Sequence, residues 1–272
     1  MTRTVLLSTG AMTRDPIQTD HREIVRHGPS LGVPGFELGI YSAWYGHLDE
    51  VIADLRESGL AFPVVHAEKL IGAGLGSDAA DEVDDALERL EVNCRAAAAL
   101  GARTLVLHLW ERPTGDRDIQ RNLERLPLCL DTAAAYGVVV AAETIPGDVG
   151  TPLANLRLAL ERDARCRIVL DTEFLGFHGQ LEESVTADWL WEGNVVHHVH
   201  VKDFDGRLWH EGKRRYLLPG EGNLDLQGFL TGLVRRGYAG SLTLEATAVD
   251  DEGGLDPARL AQMAAVVNQL AS

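Results

Sequence analysis

Short apolar runs rich in Val, Ile and Leu recur along the chain, at residues 4–8, 36–40, 62–66, 104–109, 138–143, 167–171, 195–201 and 241–245. Runs of this length, bounded by turn residues, read as strands buried on both faces. Between most of them lie longer stretches with helical spacing. Residues 48–58 place Leu48, Val51, Ile52 and Leu55 on one face and stop at Gly59. Residues 81–100 stop at Gly101, 122–136 at Gly137 and 226–236 at Gly237, while 257–270 form a last helix. Glycine just past a helix supplies the left-handed C-cap. Eight strands alternating with helices predict parallel βαβ units. An open doubly wound sheet would carry a glycine-rich phosphate turn after its first strand, and here that strand runs into Thr9-Gly-Ala-Met. The expected fold is therefore α/β, a (βα)8 TIM barrel, as a single domain over residues 1–272. Two longer insertions, 11–34 and 202–222, are expected over the mouth, where barrel chemistry occurs.

A length of 272 residues suits one such barrel. With 25 Lys+Arg against 41 Asp+Glu, the formal charge is −16, which repels a phosphate backbone. Nucleic acid and anionic membrane surfaces are not expected partners. The apolar run at the start is too short for a signal peptide, and no stretch of about 18 apolar residues occurs. Cys94, Cys129 and Cys166 are odd in number and widely spaced, so no disulfide framework is implied. These features lead us to expect a soluble cytoplasmic protein.

The informative positions are the strand ends. The fifth run ends in Glu143, the sixth in Asp171, the seventh contains His200 followed by Lys202, and the eighth ends in Glu245. A single carboxylate there reads most simply as a helix cap or a rim ion pair. Four such ionisable residues on successive strands of a barrel would surround one point, and burying them together requires pairing or a metal. Three carboxylates and one imidazole suit a divalent cation such as Mn²⁺, Mg²⁺ or Co²⁺, with Zn²⁺ a less natural fit. His198 shares a strand face with His200, and we expect it to be packed or to support the site. Strands three and four end in His66-Ala-Glu68-Lys69 and His108-Leu-Trp110. These point to a polar pocket with an apolar wall from Trp110, Trp44 and Tyr45, or equally to ordinary core residues. On this reading His66, Glu68, His108, Trp110, Lys202 and Arg215 are candidate substrate contacts, with Lys202 open to a simple ion pair with Asp203 or Glu221.

With Ala142-Glu143-Thr144, Leu170-Asp171-Thr172, His198-Val-His200-Val-Lys202-Asp203, Leu218-Pro-Gly-Glu-Gly222 and Leu244-Glu245 in view, the chain resembles the xylose isomerase-like barrels, the sugar phosphate isomerases and epimerases. The resemblance implies one divalent ion held by Glu143, Asp171, His200 and Glu245. It implies a small carbohydrate substrate, and proton transfer by Glu143 and Glu245 through an enediolate. Phe174 departs from it, standing where the family often has histidine after Asp-Thr. That departure, with the charge of −16, argues against an apurinic-site endonuclease. An inosose-type dehydratase and a non-catalytic sugar-binding barrel are the alternatives. Gly72-Ala-Gly-Leu-Gly76 misses the dinucleotide-binding spacing by one position and is expected to be a flexible loop, and no Gly-x-Ser-x-Gly occurs. Outward apolar positions on barrel helices leave a homo-oligomer open.

Overall fold

A computed structural model of the chain describes residues 4–112, 115–210 and 213–271. Eight parallel strands close into a barrel: β1 (Val5–Ser8), β2 (Phe36–Gly39), β3 (Val64–His66), β4 (Thr104–Leu107), β5 (Val139–Glu143), β6 (Arg167–Asp171), β7 (Val196–Val201) and β10 (Ser241–Leu244). Each pairs with its sequence neighbours in the barrel, and β10 closes on β1 through Val5↔Leu242 and Leu7↔Leu244. The strands β8 (Trp209–His210) and β9 (Lys213–Arg214) form a separate two-stranded hairpin in the excursion after β7. The helices are α1 (Arg22–His27), α2 (Leu48–Glu57), α3 (Ile71–Gly76), α4 (Ala80–Ala99), α5 (Ile119–Ala135), α6 (Pro152–Arg162), α7 (Thr172–Phe177), α8 (Leu181–Thr186), α9 (Leu226–Arg235) and α10 (Pro257–Ala271). Among the described residues, no helix is long and apolar enough to cross a membrane.

The two-residue period of a strand explains how apolar runs build both core and site. One parity packs outward against the helices: Val5 and Leu7, Leu105 and Leu107, Val140 and Ala142, Ile168 and Leu170, Val199 and Val201, Leu242 and Leu244. The other parity points into the barrel, where Leu6, Val64, Val106, Ala141 and Val169 form a small separate apolar layer. Two residues further along these same strands stand Ser8, His66, His108, Glu143 and Asp171. An apolar floor therefore lies one layer beneath a polar rim, and the strand-end positions of the sequence become neighbours.

The segment 72–76 departs from expectation: it is not a loop but part of α3. Gly72 is buried, and a Cβ there would collide with the His108 carbonyl oxygen. Its glycines serve close packing of α3 on the end of β4, not phosphate binding. Both long insertions do reach the mouth: Thr13, Arg14 and Asp15 from the first, and Lys202, Arg214 and Tyr216 from the second, border its cavity.

Candidate active site

The cavity at the carboxyl end of the barrel has a volume of about 510 Å³, within the range of small-molecule sites. Glu143 and Glu245 border it, while Asp171 and His200 are fully buried beneath. One donor atom from each of these four residues can be chosen so that all lie within 4.8 Å of one another. The His200 Nδ1 atom is 2.9 Å from Glu143 Oε1, 3.7 Å from Glu245 Oε1 and 3.8 Å from Asp171 Oδ2. Donors about 2.1 Å from one cation stand roughly 3–4 Å apart, and the three distances from His200 Nδ1 match that spacing, so the set could hold a single divalent ion.

The local sequence builds this convergence. Thr144 follows Glu143 and accepts a hydrogen bond from the Asp171 amide at 2.7 Å. Thr172 follows Asp171; it accepts from the Lys202 amide at 2.8 Å and donates to the Lys202 carbonyl at 2.6 Å. Each threonine beside a carboxylate thus clamps the end of the next strand. Asp171 Oδ1 caps α7 by accepting from the Phe174 amide, which turns Oδ2 toward the centre. That buried oxygen accepts no well-aligned hydrogen bond, and its close contact is the Lys202 ammonium at 2.6 Å.

Behind His200 stands a residue the sequence reading did not single out. Glu37, in the middle of β2, is fully buried; its Oε2 accepts from His198 Nε2 at 2.9 Å and from His200 Nε2 at 3.1 Å. A carboxylate on Nε2 leaves Nδ1 free to face the other three donors and fixes the ring's orientation. The only signal in the sequence is one charge inside an apolar strand. His198 also touches Thr243 and Ser241, so it is a supporting histidine, as expected. His66 and His108 place Nε2 3.2 Å and 2.8 Å from Glu143 Oε2, and His108 Nδ1 is 2.6 Å from Glu111. Their atoms form a second tight cluster with Glu143.

The buried charges act strongly on one another. Burial pushes the Glu143 carboxyl up, but His200 and His108 outweigh it and hold it well below the ordinary value. Glu37 is depressed in the same way, against its burial, by His200 and His198. Burial also opposes the charge on Glu245, yet His200 and Lys202 bring it down to about 2. Asp171 goes the other way: burial, with Glu143, Glu245 and Glu173 nearby, lifts it to about 7 despite Lys202. His200 resists the neutralising effect of burial because Glu245, Glu37 and Glu143 surround it, and its value is raised well above normal. Four buried carboxylates (Glu37, Glu143, Asp171, Glu173) and the half-buried Glu245 face two permanent cations, Lys202 and Arg214. This excess of negative charge favours a dication.

Lys202 pairs with neither Asp203 nor Glu221. Its ammonium lies 2.6 Å from both Asp171 Oδ2 and Glu245 Oε2, and 4.6 Å from the centre of the Phe174 ring. The Phe174 ring therefore serves as the apolar face of this cation. Asp203 instead accepts the Gly220 and Leu224 amides, and Glu221 pairs with Arg259, so the Pro-Gly-Glu-Gly segment is a braced loop. Two expected contacts are corrected. Trp110 is wholly buried, donates to the Pro146 carbonyl and does not border the cavity, because the chain leaves the barrel after Leu107 and carries the ring into the core. Arg215 is exposed and paired with Asp205, whereas its neighbour Arg214 borders the cavity, with Glu173 as a bidentate partner. His66, Glu68, His108 and Lys202 do line it, with Glu68 also 3.4 Å from Arg89. Trp44 is core, with Nε1 on the Thr19 carbonyl, and Tyr45 accepts from Asn93.

Fold and site together define a barrel with a polar, metal-type centre at its carboxyl end. The family model for the xylose isomerase-like TIM barrel matches residues 26–266, and the chain belongs to that family. Among curated proteins, none matches the sequence. Similar solved structures include the 3-keto-D-glucoside 4-epimerase YcjR from E. coli (19% identity, 98% of each chain covered, TM-score 0.69). D-psicose 3-epimerase from Clostridium cellulolyticum H10, solved with D-tagatose, is 15% identical over 98% of each chain, with a TM-score of 0.70. D-allulose 3-epimerase from Methylomonas sp., solved with D-allulose, is 17% identical and covers 100% of this chain and 94% of its own, with a TM-score of 0.71. Identities this low establish the shared fold.

Proposed function

We propose that this chain is a divalent-metal-dependent epimerase or isomerase of a small sugar or polyol, working by proton transfer next to a carbonyl. The observation that carries the reading is the division within the four-residue cluster. Asp171 and His200 are buried beneath the cavity, while Glu143 and Glu245, from β5 and just past β10, both border it. Two residues serve only to hold a cation, and two carboxylates also reach substrate. The three structural neighbours named above are sugar epimerases, which agrees with this reading.

A cation held by Glu143, Asp171, His200 and Glu245, with Mn²⁺, Mg²⁺ or Co²⁺ best suited to so many oxygens, would supply positive charge to oxygen atoms that become negative as a proton leaves. The chain's own residues do the rest. Glu245, kept ionised by His200 and Lys202, is a base whose side chain is 17% exposed to the cavity. Glu143, kept ionised by His200 and His108, is the second proton carrier. Proton removal by one glutamate and return by the other inverts a carbon, and return to the neighbouring carbon exchanges aldose for ketose. Lys202 offers its ammonium between Asp171 and Glu245, where a substrate oxyanion would be stabilised.

The test is proton exchange. Mn²⁺-loaded protein is incubated in D₂O with a panel of ketoses and inososes, and deuterium uptake at carbon next to the carbonyl is followed by NMR. We expect uptake that is lost on chelation and in Glu245→Gln with the fold intact. Metal-loaded protein that exchanges no proton on any member of the panel refutes the proposal, and exchange accompanied by loss of water would move it to a dehydratase.

A further inference from the structure

The chain meets nearly all its need for positive charge with arginine: of 25 basic residues, 22 are Arg and only Lys69, Lys202 and Lys213 are Lys. Two of these, Lys69 and Lys202, border the active-site cavity, and the third lies in β9 of the hairpin beside Arg214. Guanidinium and ammonium are not interchangeable. The first is a flat fork, the second a compact charge with three rotatable donors on a flexible stem. Two of the three lysines in so arginine-rich a chain stand at this one cavity, beside three arginines, and point to a task there that needs the compact charge.

Lys202 has its task among the carboxylates. Lys69 does not. Five cations line the cavity, and four have a carboxylate within 4 Å: Lys202 on Asp171 and Glu245, Arg214 on Glu173, Arg14 on Asp251 and Arg112 on Asp148. Among the described residues no carboxylate lies within that distance of Lys69. Lys69 lines the same cavity as Glu143, Lys202, Tyr216 and Glu245. It stands three residues past the end of β3, next to Glu68, which is itself anchored by its backbone amide on Asn93 and by its carboxylate on Leu70 and Arg89. The lysine is therefore carried on a braced turn.

We propose that Lys69 is a specificity residue that receives an anionic group, a carboxylate or a phosphate, carried by the substrate away from the carbon that loses its proton. An unpaired ammonium at the rim of a partly enclosed cavity gains most from a charged partner that the ligand itself supplies. This inference rests on the epimerase reading for the identity of the substrate as a sugar, but its test does not depend on turnover. Binding of D-fructose, D-fructose 6-phosphate and D-gluconate to the Mn²⁺-loaded full chain is measured by calorimetry at low and at moderate salt. The expected result is at least a tenfold preference for one anionic probe over D-fructose, diminished by salt. Lys69→Met abolishes the preference while leaving Mn²⁺ uptake and the affinity for D-fructose unchanged, and Lys69→Arg restores it in part. The phosphate and gluconate arms decide between the two anions. Equal affinity for all three probes, no binding by any, or a preference that survives Lys69→Met overturns the proposal. Failure of proton exchange with an intact Lys69-dependent preference would instead refute the epimerase reading alone.

Discussion

Glu37 offers the sharpest test of how the site is held. Its Oε2 atom accepts two buried imidazole N–H groups, His198 at 2.9 Å and His200 at 3.1 Å. Glu37→Gln keeps the shape and removes the charge. Both imidazoles reach the same oxygen, Oε2, so the amide oxygen in that place keeps both hydrogen bonds in neutral form and the loss is that of the charge. Bonds to a charged partner contribute about 1.5–3 kcal/mol each, and the relief of burying one carboxylate fewer offsets part of the loss. We therefore expect a modest fall in stability, about 1–2 kcal/mol. The larger effect falls on the metal: changing the group that orients a ligand histidine typically lowers affinity about 10–100-fold, or about 1.4–2.7 kcal/mol. Calorimetric titration of Mn²⁺ into chelator-stripped protein reads this directly. Ser241→Ala is the control, since it removes only the Nδ1 contact of His198 and should leave affinity near wild type. Affinity in Glu37→Gln within twofold of wild type would refute the claim that Glu37 sets the donor geometry of His200.

Other consequences can be measured as simply. Glu143→Ala removes a ligand shared by both clusters, and metal content by mass spectrometry should fall from about one equivalent to none. Gly72→Ala forces a methyl group into the His108 carbonyl and should lower stability in thermal unfolding by about 1–3 kcal/mol. Asp116, buried in the loop after β4, accepts the Asp148, Val149 and Gly150 amides and Asn155 Nδ2. Burial opposes its charge, but these donors lower its value below the ordinary 3.8. A depressed carboxyl contributes stability above its unfolded value and loses it as pH falls through the folded one. Asp116→Asn should therefore cost about 2 kcal/mol at pH 7, with a gap to wild type that narrows below about pH 4; a pH-independent gap would assign the cost to shape and not to charge.

All eight barrel strands were legible because each is a compact apolar run, and five helices were legible through their amphipathic spacing and glycine stops. Helix α6 (Pro152–Arg162) and several shorter helices were not. The segment Ile71–Gly76 reads as a loop by composition, and only its packing against the His108 carbonyl, a contact between distant segments, makes a helix with glycine favourable. Glu143, Asp171, His200 and Glu245 were legible for a physical reason: an ionisable group ending an apolar run must find partners, and barrel geometry supplies them. Glu37 carried the same signal but lay inside its run, with no motif around it. Trp110 was misplaced because extrapolating strand parity past Leu107 ignores that the chain turns away. Arg214 and Arg215 differ in the sequence by nothing that reveals which one faces Glu173.

The barrel also divides its labour along the chain. All four donors of the proposed ion come from the second half, β5 to β10, while Glu37, His66 and His108, which aim or brace those donors, come from the first. A C-terminal half-barrel expressed alone would own every ligand and lack the groups that orient them. The centre is thus a product of ring closure itself, assembled only when the two halves of the polypeptide meet. Ser8, Thr13, Arg14, Tyr41, Glu68 and Lys69, all from the first half, also border the cavity. An exchange of N-terminal halves between related barrels would then be a route to new substrates that leaves the donor set untouched.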